Sequence, residues 1–199
     1  MEHKDIPDAQ LHEVKGAASA PIGRVLSANG DGTATFKSKI GWWDYNDTAT
    51  AGTPIALTLA NTYYDLTNNA LGANTNTAYR LSTVANIWNT GTNRFDFTGL
   101  ALGDVVEVRI DIDVTTTSAN TAIRVDLELG VGQPGAFILP IVLPINIKTA
   151  STNKIVMSRK FYVGSSLIKD NPARIRAQAD TTGATVRVNG WFVDVVKWG

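Results

Sequence analysis

VVEVRIDIDV, Val105 to Val114, is the stretch on which the reading of this chain turns. Every second residue from Val106 is β-branched and apolar (Val106, Val108, Ile110, Ile112, Val114), and the residues between are charged (Glu107, Arg109, Asp111, Asp113). Such alternation predicts a strand with one face in a core and the other in water. A one-residue slip would bury the charged set, so the register is tightly specified. IRVDLEL, Ile123 to Leu129, repeats the pattern with Arg124, Asp126 and Glu128 outward. With Ser118-Ala119-Asn120 in the polar connection, the simplest expectation is an antiparallel pair on a half-exposed sheet.

The rest of the chain beyond Gly41 reads in the same way. Strands are expected at Ile55–Leu59, Ala78–Leu81, Arg94–Phe97, Phe137–Ile147, Lys154–Val163, Ala173–Ala179, Thr185–Val188 and Trp191–Val196, joined by Asn-, Thr- and Gly-rich turns. No segment carries helical periodicity or a capping box. Many short strands with turn signals between them imply an all-β sandwich or jelly roll. Pro140 and Pro144 interrupt FILPIVLPINI, so that segment is an edge strand or is bulged. It is apolar on both faces around Phe137–Leu143, an aggregation liability unless covered. A subunit interface or a loop of the same chain would each serve.

Composition narrows the function. The 199 residues contain 18 Lys+Arg and 18 Asp+Glu, a formal net charge of zero. A duplex-binding protein shows a basic excess, so nucleic acid is not an expected partner. No run reaches the roughly 20 apolar residues that span a bilayer, so no membrane insertion is expected. The start, MEHKDIPDAQ, is polar and does not read as a secretory signal. There is no cysteine, which removes disulfides, thiolate metal sites and Cys nucleophiles.

Candidate chemistry is sparse. His3 and His12 are the only histidines and lie in a segment rich in Ala, Ser and Gly, which disfavours a hydrolytic triad. His3, Asp5, Asp8 and His12 lack a scaffold to hold a metal. Asp111, Asp113, Asp126 and Glu128 would lie together on adjacent strands, where paired carboxylates can bind calcium or act as acid and base on glycosides. Arg109 and Arg124 share those faces, and cross-strand charge pairing accounts for the set. Neither an enzyme nor a cofactor is expected. Trp42, Trp43 and Tyr45 cluster at the entry to the β-region, and Tyr63, Tyr64 and Trp88 are candidate glycan contacts. Core and interface packing is the competing reading for all of them, and the preferred one for Trp191 and Trp198. Trp42 and Trp43 face opposite sides of a strand, so one at most joins the core and the other meets a neighbouring subunit or the arm.

Residues 1–40 read as an arm. Asn29-Gly30-Asp31-Gly32 is a turn signal between Arg24–Ala28 and Thr33–Lys37, a small hairpin. The remainder of the arm either orders against a partner or is an unstructured terminus. His3-Lys4-Asp5-Ile6-Pro7-Asp8, Leu11-His12-Glu13, Lys15-Gly16-Ala17-Ala18-Ser19-Ala20 and Val25-Leu26-Ser27-Ala28-Asn29-Gly30-Asp31-Gly32 together resemble the N-terminal segment of virion proteins of tailed bacteriophages. These are head-fibre or capsid-decoration proteins and some related tail-fibre-like proteins. The resemblance covers about residues 3–36 and departs from the group at Val14, where proline is common. The strand pattern beyond it is similar to trimeric jelly-roll heads of the tumour-necrosis-factor and complement-C1q type.

The resemblance implies an arm (1–40) that anchors an antiparallel jelly-roll head (41–199) to the virion surface. Ile6, Pro7, Leu11, His12 and Lys15 would contact the major capsid protein or another virion protein. It further implies a homotrimer, for which Trp42, Trp43, Phe137, Leu139, Ile141 and Leu143 are the interface candidates. The alternative is a tail-fibre adhesin that reads host surface glycan through Tyr63, Tyr64 and Trp88.

Overall fold

The computed structural model describes residues 24–28, 31, 33–46, 53–67, 72–81, 84–85 and 87–198. The chain divides into two compact units, Met1–Lys39 and Ile40–Gly199. In the first, β1 (Val25–Ala28) pairs antiparallel with β2 (Ala34–Lys37), with Val25 opposite Lys37 and Ala28 opposite Ala34. The Asp31 carboxylate accepts the Thr33 backbone N–H at 2.9 Å, the local turn bond that Asp supplies.

The second unit contains the remaining strands: β3 (Ile40–Asn46), β4 (Ile55–Leu57), β5 (Tyr64–Asp65), β6 (Ala73–Thr75), β7 (Trp88–Asn89), β8 (Arg94–Phe95), β9 (Val105–Thr115), β10 (Thr121–Leu129), β11 (Phe137–Ile147), β12 (Thr152–Tyr162), β13 (Ala173–Ala179) and β14 (Ala184–Val196). One sheet has the order β12-β9-β14-β3-β6, with β4 also on β14. The other has the order β11-β10-β13-β8-β7, with β5 also on β13. Thus β9 lies beside β14 in one sheet while β10 lies beside β13 in the other. The β9–β10 connection is flanked by β11–β12 on one side and β13–β14 on the other. This is the nested wrap of a jelly roll, and the unit is an antiparallel jelly-roll sandwich.

The long strands match the alternation in the sequence. Val106, Val108, Ile110, Ile112 and Val114 of β9 face Ile123, Val125, Leu127 and Leu129 of β10 within one core, all at 0–1% exposure. The expected pairing of these two strands is wrong. β9 hydrogen-bonds to β12 and β14, and β10 to β11 and β13. Alternation reports which face of a strand is apolar. It does not report the neighbour, and a short polar connection can turn back in one sheet or arch over to the other.

Two further differences have local causes. Thr185–Val188 and Trp191–Val196 are one strand, because Asn189 is an extra residue between Val188, opposite Ile112, and Gly190, opposite Asp111. The bulge shifts the phase, so Ala184, Val186 and Val188 point inward before it and Trp191, Val193 and Val195 after it. Ala78–Leu81 is not a strand. Asn76 is left-handed (φ 55°) and opens a 3-10 turn at Thr77–Tyr79, while the neighbouring strand is β6. A short helix, α1 (Ser166–Lys169), follows β12. β11 is both an edge strand and bulged. Its register against β10 shifts on either side of Val125, beside Pro140 and Pro144.

Gly190 lies against β3, where an added Cβ would overlap the Tyr45 carbonyl oxygen. Gly190→Ala is expected to cost about 1–3 kcal/mol by forcing the backbones apart. Thermal unfolding should show this as a Tm drop of about 2–12 °C, since each kcal/mol moves a chain of this size by about 2–4 °C. An unchanged Tm would mean that the bulge is plastic.

Candidate interaction surface

The sandwich is not closed on the side where β11 and β12 form the edges of the two sheets. Met157 and Arg159 of β12 stand opposite inward-facing Ile110 and Val108, yet both are exposed. On β11, Phe137 and Ile145 pair with buried Leu129 and Ile123 and are exposed as well. Leu143 at 69%, Tyr162 at 65% and Val156 extend the same apolar strip. Two hollows of about 460 Å³ each open along it. One is lined by Phe137, Leu139, Phe161, Tyr162 and Ile168, the other by Ile145, Ile147, Ile155, Val156 and Met157. An edge with unpaired backbone groups and a contiguous apolar strip is the usual mark of a protein-protein contact.

The interface candidates fall into two groups on this surface. Phe137 and Leu143 are exposed on the strip. Leu139 and Ile141, at 8% and 5% exposure, and Trp43, at 0%, are buried within the protomer's own core. As direct subunit contacts these three are corrected, because their positions in the pleat point them between the sheets. Trp42 is half-buried on the opposite face of β3, stacked on Tyr79 (centroids 4.8 Å apart, 7° between planes) and on Phe192.

Trp88 is likewise corrected as a glycan contact. It is fully buried and packs against Tyr45 at 5.6 Å, Phe95 at 4.8 Å and Trp191 at 5.6 Å. Tyr63 and Tyr64 are half-buried and already engaged. The Tyr64 hydroxyl accepts the Leu59 N–H at 2.9 Å and bonds to Thr58. Tyr63 donates its hydroxyl to Asp126 and holds the Arg176 guanidinium 4.1 Å over its ring. The large exposed aromatics of the sandwich include Tyr79 and Trp198, at 59% and 74%. Of the core and interface packing expected for Trp198, the core half does not hold, because it lies beyond the end of β14. The anchoring candidates Ile6, Pro7, Leu11, His12 and Lys15, and the metal candidates His3, Asp5 and Asp8, lie outside the described residues.

The carboxylates do not converge. Asp111 bonds to Lys154 at 3.0 Å and to Asn189 at 2.9 Å. Glu107 is held below the usual carboxylate range by a Ser158 hydrogen bond and then by Lys160, 3.3 Å away. Asp126 and Glu128 are in the other sheet, and they are buried rather than solvated. The reason is tertiary: β5 pairs with β13 and carries its flanking residues over that face. There Arg124 contacts Asp126 at 3.0 Å, Arg174 and Arg176 contact Glu128 at 2.7 and 2.8 Å, and Arg174 and Arg94 share Asp65. Every acid in this row has an arginine, so the row is a latch holding the Tyr63–Asp65 segment to the sheet. Burial and the neighbouring Asp126 raise the Tyr63 hydroxyl pKa. Among the described residues no cluster of three or more His, Cys, Asp or Glu is placed to hold a metal, and no helix is long and apolar enough to cross a membrane.

Removing Glu128 would leave Arg176 without a carboxylate in a largely buried site, and Arg174 with Asp65 alone. Glu128→Ala is expected to cost roughly 3 kcal/mol, the penalty of an uncompensated buried charge. Chemical denaturation at neutral pH measures it; a loss under about 0.5 kcal/mol, the range of plain surface changes, would show that water already screens the row.

No protein-family model matches the chain, and no curated protein matches it. Among solved structures, the VP2 subviral particle of infectious bursal disease virus is similar at 6% identity and TM-score 0.45, over 86% of this chain and 37% of that one. Eiger TNF from S. frugiperda is similar at 8% identity and TM-score 0.45, over 81% of this chain and 94% of that one. The CBM22-1 xylan-binding domain of Paenibacillus barcinonensis Xyn10C is similar at 13% identity and TM-score 0.36, over 53% and 65%. The chain therefore spans less than two thirds of the viral and xylan-binding chains. These likenesses concern strand arrangement and carry no functional argument.

Proposed function

We propose that this protein is a structural virion component of a tailed bacteriophage. In this reading it is a homotrimeric head fibre or capsid decoration protein, attached to the virion surface through its N-terminal arm. The observation that carries the reading is the open β11–β12 edge. A protomer that leaves Phe137, Leu143, Ile145, Val156, Met157 and Tyr162 in water gains by burying them against another copy. Without cysteine, subunit burial is also an available source of stability outside a cell. The resemblance of residues 3–36 supports the virion location and the division between arm and head. Three arms on one trimer would raise apparent affinity for the capsid without any new contact.

No observation adds weight to the adhesin reading. Of its three proposed contacts, Trp88 is in the core, and the hydroxyls of Tyr63 and Tyr64 are engaged within the protomer.

Light scattering on the full chain at micromolar concentration is expected to give the mass of three protomers. Leu143→Asp should weaken assembly by at least about tenfold in dissociation constant, because losing one buried leucine contact is worth about 1.5–3 kcal/mol. A wild-type monomer would overturn the oligomeric reading. A chain lacking residues 1–20 is expected to stay trimeric but to lose binding to capsids stripped of it. Undiminished capsid binding would exclude the arm as anchor, and reproducible sugar binding on a glycan array would favour the adhesin.

A further inference from the structure

The charges of the sandwich are distributed unevenly in a way that no contact within the protomer explains. The β11–β12 segment, residues 137–162, carries Lys148, Lys154, Arg159 and Lys160 and no carboxylate. Two of these are used at home: Lys154 pairs with Asp111 and Lys160 with Glu107. Lys148 and Arg159 are exposed and make no ion pair among the described residues. Both lie along the apolar strip, Lys148 beside the hollow lined by Ile145 and Met157.

The opposite imbalance occurs on the outward face of β9 and β14. Glu107 and Asp194 stand directly across from one another in the ladder, an arrangement that costs stability between like charges. Lys160 reaches Glu107, but Asp194 has no ion-pair partner among the described residues. Burial and then Glu107 push its carboxyl pKa upward, with Lys160 only partly opposing them. Along the same face Asp113 lies opposite Arg187 and Lys154 in register. Yet Lys154 reaches Asp111 instead, and Asp113 is left without an ion pair among the described residues.

A two-fold contact of strip on strip would bring together two β11–β12 segments, each with Lys148 and Arg159 outside any ion pair among the described residues and no acid of its own to receive them. Like-charge juxtaposition of that kind strongly disfavours a complex. A head-to-tail contact avoids it, and when its rotation closes it gives a ring.

We infer that protomers associate head to tail, with Lys148 and Arg159 on the β11–β12 strip of one copy seated against Asp194 and Asp113 on the β9–β14 face of the next. This rests on the reading above that the strip binds a second copy, and adds which face receives it. The apolar strip supplies adhesion and the charges supply polarity and register, the division usual at protein interfaces.

Charge reversal tests it. Asp194→Lys alone, and Lys148→Glu with Arg159→Glu, are each expected to raise the dissociation constant by more than about tenfold, read by light scattering at low salt. Near-ultraviolet circular dichroism should show each variant folded. Reversing all four groups in one chain (Lys148→Glu, Arg159→Glu, Asp113→Lys and Asp194→Lys) should restore assembly. If Asp194→Lys misfolds, Asp194→Asn with the salt dependence of wild-type assembly replaces it. Weakening on going from about 0.05 to about 0.5 M salt, together with a reduced slope in Asp194→Asn, supports the contact. Intact assembly in folded Asp194→Lys, or an unchanged salt slope in Asp194→Asn, would overturn the receiving face while leaving the strip as an interface. Wild-type chains that remain monomeric would instead remove the underlying reading.

Discussion

Five β-branched side chains on β9, all shielded from water, constrain where nearly everything else in the sandwich can lie. Val106, Val108, Ile110, Ile112 and Val114 need an opposing apolar layer, and β10 and β13 of the other sheet help supply it. They also need lateral partners to satisfy the backbone. β12 and β14 pair with β9 along its full length on either side. Once β9 is central, β14 must stay in register while β3 packs beyond it. The Asn189 bulge is the adjustment that brings Trp191 and Val193 back to the core after Val188. Gly190 allows it, since the bulged backbone passes so close to Tyr45 that no side chain fits.

The two sheets use their outer faces differently, although their strands carry similar charge patterns. On the β9 sheet the charges pair across neighbouring strands and remain near water, where such pairs contribute modestly. On the β10 sheet the segment around β5 covers the face, and Asp126 and Glu128 become buried acids that need arginine on every side. Removing water from a carboxylate is costly unless it is paired. The density of arginine in this row follows from its cover. The same physics removes the carboxylates from contention as a catalytic pair: they are separated between two sheets, and one set is neutralised.

The open edge has its own logic. Jelly rolls end in edge strands, and natural proteins blunt or cover such edges. Here prolines and bulges disturb β11 without covering it, and β12 is exposed on both faces over most of its length. Lys148 and Arg159, outside any ion pair among the described residues, disfavour the pairing of two such edges with each other. They also leave the edge selective for an acidic surface. The charges that work against edge-to-edge pairing would, in the proposed assembly, also set the polarity of the contact.

Much of this architecture is legible locally. Period-two alternation marks β9, β10, β13 and both halves of β14, and the two prolines mark β11 as a bulged edge. Those signals depend only on neighbouring residues along the chain, as does the β1–β2 hairpin turn. What alternation cannot encode is the identity of the neighbour. β9 and β10 look like a hairpin and belong to different sheets, because both arrangements bury the same side chains and only the packing of the whole wrap distinguishes them. The fate of outward-facing residues is equally non-local. Asp111 and Asp126 have similar surroundings in sequence, yet one is solvated and the other buried, because only the second lies beneath another segment. For the same reason Trp88, on a two-residue strand between polar loops, is at the centre of the aromatic core. Tyr79, in an apolar run that reads as a strand, is instead in solvent.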